Sequence, residues 1–228
     1  MIERKFVAEN VNEYQIQEFV QESLKNVGHS HTKLVRTPLG EKIVIYASRP
    51  GLVVGRKGEN IKKLTSALKK RFKLENPQIE IAEVENPSLD AQIVAERIAS
   101  TLERFGIQKF KAIGHKTMQD VMQAGALGIE IKMSGKIPSA RAKTWRFYSG
   151  YLKKCGNVSL TGVKRAQSIA QLKPGVVGVQ VAIMPPDIKL PDNITVIEEN
   201  LPVQEEKKEH EIVQKTESAE SRRAQEKA

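Results

Sequence analysis

A chain of 228 residues with a formal net charge of +10 favours a polyanionic partner. Its length suffices for one large or two ordinary domains, each with its own hydrophobic core. The single cysteine, Cys155, excludes an intrachain disulfide. Because the chain lacks a long apolar run and a signal-peptide core, we predict a cytoplasmic protein with no membrane partner.

The first quarter of the chain predicts a helix followed by a hairpin. Residues 1–9 are expected to form an arm, and a capping box that begins at Asn12 starts an amphipathic helix ending at Gly28. Two strand-like runs, 33–36 and 42–47, flank a turn that contains proline and glycine. These runs predict an antiparallel pair of strands.

A tetrapeptide bounded by two glycines comes next, ahead of a helix whose apolar residues recur at helical spacing up to Phe72. Glycines let a ligand backbone approach closely, and two cations beside a helix N-terminus suit a phosphate. We therefore predict an RNA backbone clamp, the alternative being a plain surface turn before an amphipathic helix. The residues predicted to bind RNA here are Gly55, Arg56, Lys57, Gly58, Lys62 and Lys63.

The remaining periodicity predicts an α+β fold with a second unit. Residues 78–84 alternate as a strand, and Ser88 is expected to cap a helix that ends at Gly106. A helix around 110–122 and strands at 129–133 and 177–183 then follow. Two segments are harder to interpret, 139–152 and 157–172, and the latter is compatible with a strand followed by a helical turn. From 191 to 228 we expect a linker and a disordered charged tail.

The second unit has an unusual charge pattern. Residues 131–186 contain ten lysines and arginines and no aspartate or glutamate, so this segment cannot form ion pairs within itself. Its positive field must be balanced by groups outside it, for which RNA is a natural candidate. Four aromatic rings lie among these cations, and they serve either as stacking surfaces for bases or as core residues: Trp145, Phe147, Tyr148 and Tyr151.

Other candidate sites have weaker support. We interpret His29 and His31 as part of a solvated turn rather than a metal site, because no cysteine or third histidine lies nearby. Cys155 has no histidine near it in sequence, which disfavours a catalytic thiol. We predict no metal, no cofactor and no small-molecule substrate.

Two sets of motifs resemble one known family. The run from Val53 to Ile61 resembles the V-I-G-x-x-G-x-x-I pattern of K-homology (KH) domains, which clamp about four nucleotides of RNA backbone. Residues 128–136, 139–143 and 175–181 are similar to the carboxy-terminal domain of the S3 family of small-subunit ribosomal proteins, with the archaeal branch as the best match.

This resemblance implies a fold and a function. The fold would comprise a type II KH domain at 10–106 with a three-stranded sheet, then a carboxy-terminal α/β domain at 107–190 with a mostly antiparallel sheet. The chain would lie in the head of the small ribosomal subunit, bind small-subunit rRNA and help form the path by which mRNA enters, beside neighbouring head proteins.

The same hypothesis assigns residues in the second domain. The residues expected to bind rRNA are Lys132, Lys136, Arg141, Lys143, Arg146, Lys164 and Arg165. Those expected to face mRNA are Lys109, Lys111, His115 and Lys116, while Ala112 stands where relatives carry a second cation. Two alternatives are a free KH regulator, which would not need the acid-free segment, and a nuclease acting on abasic DNA. Because the sequence shows no nucleophile or metal site for the latter, we predict no enzymatic activity.

Overall fold

The computed structural model describes residues 2–25, 27–37, 40–72, 74, 76–138, 141–192 and 194. The described residues up to Ile188 form one compact unit. The disordered tail predicted from about residue 200 lies outside the described residues. Among those residues, no helix is long and apolar enough to cross a membrane.

The described residues contain helices and strands in mixed order. The helices are α1 (Ile2–Ser23), α2 (Pro50–Val54), α3 (Glu59–Phe72), α4 (Ala91–Phe105), α5 (Phe110–Gln123) and α6 (Asn157–Thr161). The strands are β1 (His29–Thr37), β2 (Gly40–Ala47), β3 (Gln78–Glu83), β4 (Gly128–Gly135), β5 (Lys143–Gly150), β6 (Lys164–Leu172) and β7 (Gly175–Met184). This arrangement confirms the predicted α+β class.

The first sheet has the strand order β1-β2-β3. Strands β1 and β2 pair antiparallel, which confirms the predicted hairpin, and β3 returns parallel to β2 after the crossover through α2 and α3. Alternate residues of β2 are buried against α1 and α3 because successive strand side chains point to opposite faces. Its core includes Val20 from α1, Ile43 and Ile45 from β2, and Leu68 from α3.

The second sheet has the order β5-β4-β7-β6, and every neighbouring pair is antiparallel. The expected mostly antiparallel sheet is thus confirmed. Within 157–172, the helix α6 precedes the strand β6, so a strand followed by a helical turn is wrong. Strand β6 buries only small apolar residues, Ala166 and Ala170, which gives a weak alternation signal.

Helix α4 packs on the second sheet. It begins at Ala91, where the side chain of Asp90 accepts a hydrogen bond from the backbone N–H of Gln92, so the predicted cap at Ser88 is wrong. It ends at Gly106, as predicted. The buried residues of α4 that join the core of the second sheet are Ala91, Val94, Ala95, Ile98, Ala99 and Leu102. The division of the chain at residue 106 stays a prediction.

Helix α1 begins ten residues before the predicted start, so the expected arm at 1–9 is helical from Ile2. Apolar periodicity does not reveal this half, because its apolar side chains Phe6, Val7 and Val11 are exposed and burial begins only at Ile16. An ion pair of 2.7 Å between Glu9 and Arg36 of β1 links this half to the sheet.

His29 lies at the start of β1 and is buried, so its interpretation as part of a solvated turn is wrong. Its Nε2 lies 2.8 Å from Oγ1 of Thr32, and its Nδ1 has no hydrogen-bond partner in the described part of the chain. Burial lowers the pKa of His29 to about 4, helped by the charge of His31 and opposed by the carboxylate of Asp90.

The buried imidazole of His29 predicts a pH-dependent stability. Because its pKa is about 4 when folded and 6.5 ordinarily, the unfolded chain takes up the proton first as the pH falls. The contribution to the free energy of unfolding is complete above pH 6.5 and is lost between that value and pH 4. The loss should reach up to about 3 kcal/mol.

Urea unfolding from pH 4 to 8 measures this effect. His29→Gln should flatten the slope between pH 4 and 6.5, whereas replacing the exposed His115 by Gln should leave it in place. An unchanged slope in the His29 variant would contradict the account.

Candidate nucleic-acid interface

The loop between α2 and α3 has a backbone that only particular residues tolerate. Gly55 and Gly58 have φ values of 72° and 73°, and Lys57 lies in the left-handed region at φ 54°, ψ 24°. A residue with a side chain in that region is strained by about 1 kcal/mol or more. This conformation projects Arg56 and Lys57 into solvent between the two glycines.

Asn60 supports the loop from beneath, a role that sequence reasoning missed. Its Nδ2 donates a hydrogen bond of 3.2 Å to the carbonyl oxygen of Leu52 in α2. A Cβ atom added to Gly55 would lie 2.5 Å from that nitrogen, so only a residue without a side chain can lie this close to Asn60. The only sequence signal for Asn60 is an amide side chain two residues after the second glycine.

The cations around this loop differ in how they are paired. Lys63 forms an ion pair of 2.6 Å with Glu59, one turn earlier on α3, and the bond lowers the pKa of that carboxyl. Both side chains are exposed, so the pair contributes little to stability and can be exchanged for another anion. In the described residues, the side chains of Arg56, Lys57 and Lys62 form no ion pair.

The second sheet divides the predicted rRNA-binding cations between its two faces. Helices α4 and α5 cover one face, which we call the helix face, and the other we call the open face. Alternation along β4, β5 and β6 places Lys132, Arg146 and Arg165 on the open face, with Lys132 directly opposite Arg146. Lys143 and Lys164 lie on the side of the helix face.

The remaining two cations of this set lie beyond the strands. Lys136 and Arg141 are exposed in the connection between β4 and β5. The structure therefore does not gather all seven predicted residues into one patch.

One residue predicted to face mRNA and one predicted to bind rRNA meet at the ring of Trp145. The Nζ atoms of Lys111 and Lys143 lie 4.8 and 5.0 Å from the centre of the Trp145 ring, within the range of cation–π attraction. Phe110 packs edge-on against the same ring, at 5.5 Å between ring centres. This contact joins the start of α5 to β5.

The other mRNA candidates are also exposed. Lys109 lies 5.5 Å above the ring of Phe105, and His115 packs edge-on against Phe147 at 5.2 Å. Gly114 makes room for the latter ring, since a Cβ there would approach it to 2.8 Å. The four residues therefore lie just before α5 and along its first two turns, with Lys116 exposed on the second.

Of the four aromatic rings, two are placed as core residues and two as possible stacking surfaces for bases. Phe147 is buried and Trp145 is half-buried, as core residues would be. Tyr148 and Tyr151 are each 46% exposed, which leaves part of each ring free to stack. Neither interpretation holds for all four rings.

Glu130 is a further residue that the sequence analysis missed. It is buried on β4, yet three cations from different segments lie around its carboxylate: Lys132, Arg146 and Lys154. The sequence marks Glu130 only by its position, because it is the acid that immediately precedes the acid-free segment.

The described residues contain no group of three or more histidine, cysteine or acidic side chains arranged to hold a metal ion. Cys155 is exposed as a free thiol. The chemistry that the described geometry supports best is the non-covalent binding of a polyanion.

The loop geometry predicts a measurable effect on RNA binding. Replacing Arg56 and Lys57 by Asp should weaken binding of the full chain to small-subunit rRNA and lower the slope of log K against log salt. Loss of two phosphate contacts corresponds to a slope change of about 1.4 to 1.8. Filter binding across a KCl series measures this change.

The matched control replaces Lys69 and Lys70 by Asp, which changes the charge equally at the exposed far end of α3. If both double variants lower the slope to the same extent, the loop has no specific part in binding.

Comparisons with known families cover both halves of the chain. A family model described as KH domain matches residues 15–89, and one described as Ribosomal protein S3, C-terminal domain, matches residues 98–183. The two matches lie in the same order as the two sheets.

Curated relatives match across both regions. The chain is 47% identical to the small ribosomal subunit protein uS3 of Methanocaldococcus jannaschii over 199 residues, which cover 87% of this chain and 95% of the relative. It is 47% identical to that of Methanococcus maripaludis strain C5 over 86% of the chain and 92% of the relative. The protein of the same name from Methanothermobacter thermautotrophicus is 45% identical over 84% of the chain and 74% of the relative.

Proposed function

We infer the function from one premise: the chain belongs to the uS3 family of small ribosomal subunit proteins. It is a structural constituent of the small subunit in the cytoplasmic ribosome of an archaeal type of translation system, where it binds RNA. The observation that carries this conclusion is similarity along both sheets, at 45–47% identity, rather than along the KH domain alone. A free KH regulator would need only the first of the two domains.

The proposed RNA is small-subunit rRNA, and the proposed contacts are of two kinds. At the first sheet, the glycine-bounded loop would hold backbone phosphates with Arg56, Lys57 and the first turns of α3. At the second sheet, exposed cations would contact phosphates while half-exposed rings stack on bases. Arg56 and Lys57 are exposed and form no ion pair within the described part of the chain, which supports this assignment.

A path for mRNA is the finer proposal. Four polar side chains are exposed at the start of α5: Lys109 just before the helix, and Lys111, His115 and Lys116 on its first two turns. They would attract the backbone of a passing single strand without reading its sequence, because phosphate contacts carry no sequence information. Ala112 lies among them and contributes no charge. Neighbouring proteins of the subunit head are the expected protein partners.

Sedimentation of the tagged full chain tests the ribosomal role. In a lysate of an archaeal host, the protein should sediment with small subunits and stay with them after a wash at moderate salt. A result in which it sediments as a free monomer, while small subunits from the same lysate lack it, would contradict the proposed function.

The same subunits test the mRNA path. Subunits that contain the chain should crosslink a 4-thiouridine-bearing mRNA to the peptide that carries Lys111, and Lys111→Glu should reduce the crosslink. Lys173→Glu, at an exposed turn between β6 and β7, is the charge-matched control. Equal crosslinking in both variants would remove α5 from the path.

A further inference from the structure

The open face of the second sheet contains one carboxylate with three cations around it. Oε1 of Glu130 lies 3.1 Å from Nζ of Lys154 and 3.7 Å from Nζ of Lys132, and it also contacts Nε of Arg146. These cations come from the segment after β5, from β4 and from β5, so the arrangement requires three parts of the chain to meet. We call these four residues the Glu130 cluster.

The acid is buried and the cations are not. The side chain of Glu130 is 7% exposed, against 43% for Lys132, 49% for Arg146 and 53% for Lys154. Burial raises the pKa of this carboxyl, but the hydrogen bond from Lys154 and the fields of the other two cations outweigh it, so the pKa lies below its ordinary value. The carboxylate is therefore ionised at neutral pH.

The charges in the cluster do not cancel. Three cations and one anion leave an excess of two positive charges, and residues 131–186 contain no acid to balance it. An interaction needed only for folding would not require this excess, since a buried charge is a costly way to stabilise a sheet. The excess points outward, towards solvent.

The surface around the cluster is concave and polar. A groove of about 370 Å³ lies over the open face, bordered by Arg165 of β6 and by two glutamines, Gln167 and Gln180. The half-exposed ring of Tyr148 lies beneath two of the cations, at 5.1 Å from the Arg146 guanidinium carbon and 6.0 Å from Nζ of Lys154. The ring and the carboxylate together restrict where these long side chains can lie.

A phosphodiester fits this arrangement. It is a compact anion whose oxygens accept charge-assisted hydrogen bonds from guanidinium and ammonium groups. Cations that are already held in place lose less conformational entropy when the anion binds. The polar groove and the half-exposed tyrosine additionally suit the sugar and base beside a phosphate.

We propose that the Glu130 cluster is a phosphate-binding site for RNA on the open face, in which Glu130 is a positioning residue that holds Lys132, Arg146 and Lys154 for the ligand. This inference rests on the proposed RNA-binding function, and it adds a site in which an acid promotes the binding of an anion. Simple charge counting predicts the opposite effect for that acid.

Glu130→Gln distinguishes a positioning role for Glu130 from simple charge counting. The substitution raises the net charge by one, but it also releases the three cations. We expect the full-length variant to bind deproteinised small-subunit rRNA about tenfold more weakly, as for loss of one charge-assisted hydrogen bond. The slope of log K against log salt should fall by about 0.7 to 0.9, as for loss of one phosphate contact. Filter binding across a KCl series measures both quantities.

Glu85→Gln is the matched control, because it makes the same charge change at an exposed position between β3 and α4. It should bind the RNA as tightly as the unmodified chain or slightly more tightly. Thermal unfolding of both variants shows whether each is folded. If folded Glu130→Gln binds as well as Glu85→Gln, with an equal or steeper salt slope, the proposal is overturned.

A second pair of variants keeps the test decisive if Glu130→Gln does not fold. Lys154→Gln removes a cation of the cluster, and Lys173→Gln removes one from the turn at the other end of the same sheet. The first should weaken RNA binding about tenfold and the second much less.

Equal effects of these two variants would overturn the site. If Lys154→Gln binds rRNA as tightly as the unmodified chain but fails to join small subunits, the cluster serves assembly by a contact other than RNA, and the proposal is overturned. An unmodified chain that binds no rRNA would instead contradict the proposed function.

Discussion

The burial of helix α4 is the constraint on which the arrangement of both cationic surfaces depends. Its apolar side chains fill the core of the second sheet, and each fully buried aliphatic side chain stabilises the fold by about 1.5 to 3 kcal/mol. On a different side of α4, its buried residue Ile93 lies next to Gly28, where the chain enters the first sheet. The packing of α4 thus joins the two sheets within one compact unit.

The junction at the start of α4 also explains why a histidine is buried there. Asp90 caps the helix and its carboxylate faces His29, whose imidazole remains neutral because burial disfavours its charged form. One ring nitrogen of His29 lies within hydrogen-bond distance of Thr32, and the other has no partner among the described residues. The same geometry makes the junction sensitive to acid.

The two cationic surfaces are built by different physical means. At the loop, two glycines and a strained Lys57 shape the backbone, and Asn60 holds the turn against α2. At the second sheet, cross-strand register brings side chains together around a buried carboxylate. The loop presents its backbone and two cations to solvent, whereas the sheet presents cations that lie around one carboxylate.

Strands with clear alternation and helices with an apolar stripe could be predicted from the sequence. Strands β4 and β7 have large β-branched residues on one face, and the glycine-bounded loop has a recognisable spacing. Strand β5 was missed because its cations are exposed and only Phe147 is buried, and the first half of α1 was missed because it buries nothing.

The elements of the site that escaped prediction depend on contacts between distant residues. Glu130 and Lys154 are 24 residues apart, and Glu130 meets Arg146 only because β4 pairs with β5 in one particular register. Local pattern cannot specify such a register when both strands carry polar side chains on the same face. The same holds for His29, which is buried because α4 covers the start of β1.

Lysine acetylation footprinting tests most directly whether both surfaces face RNA. Labelling rates are compared by mass spectrometry between the free full chain and the chain assembled in small subunits. The account predicts that Lys57 of the loop and Lys132 and Lys154 of the sheet react much more slowly in the subunit, because phosphates cover them. Equal rates for these three lysines in both states would contradict it.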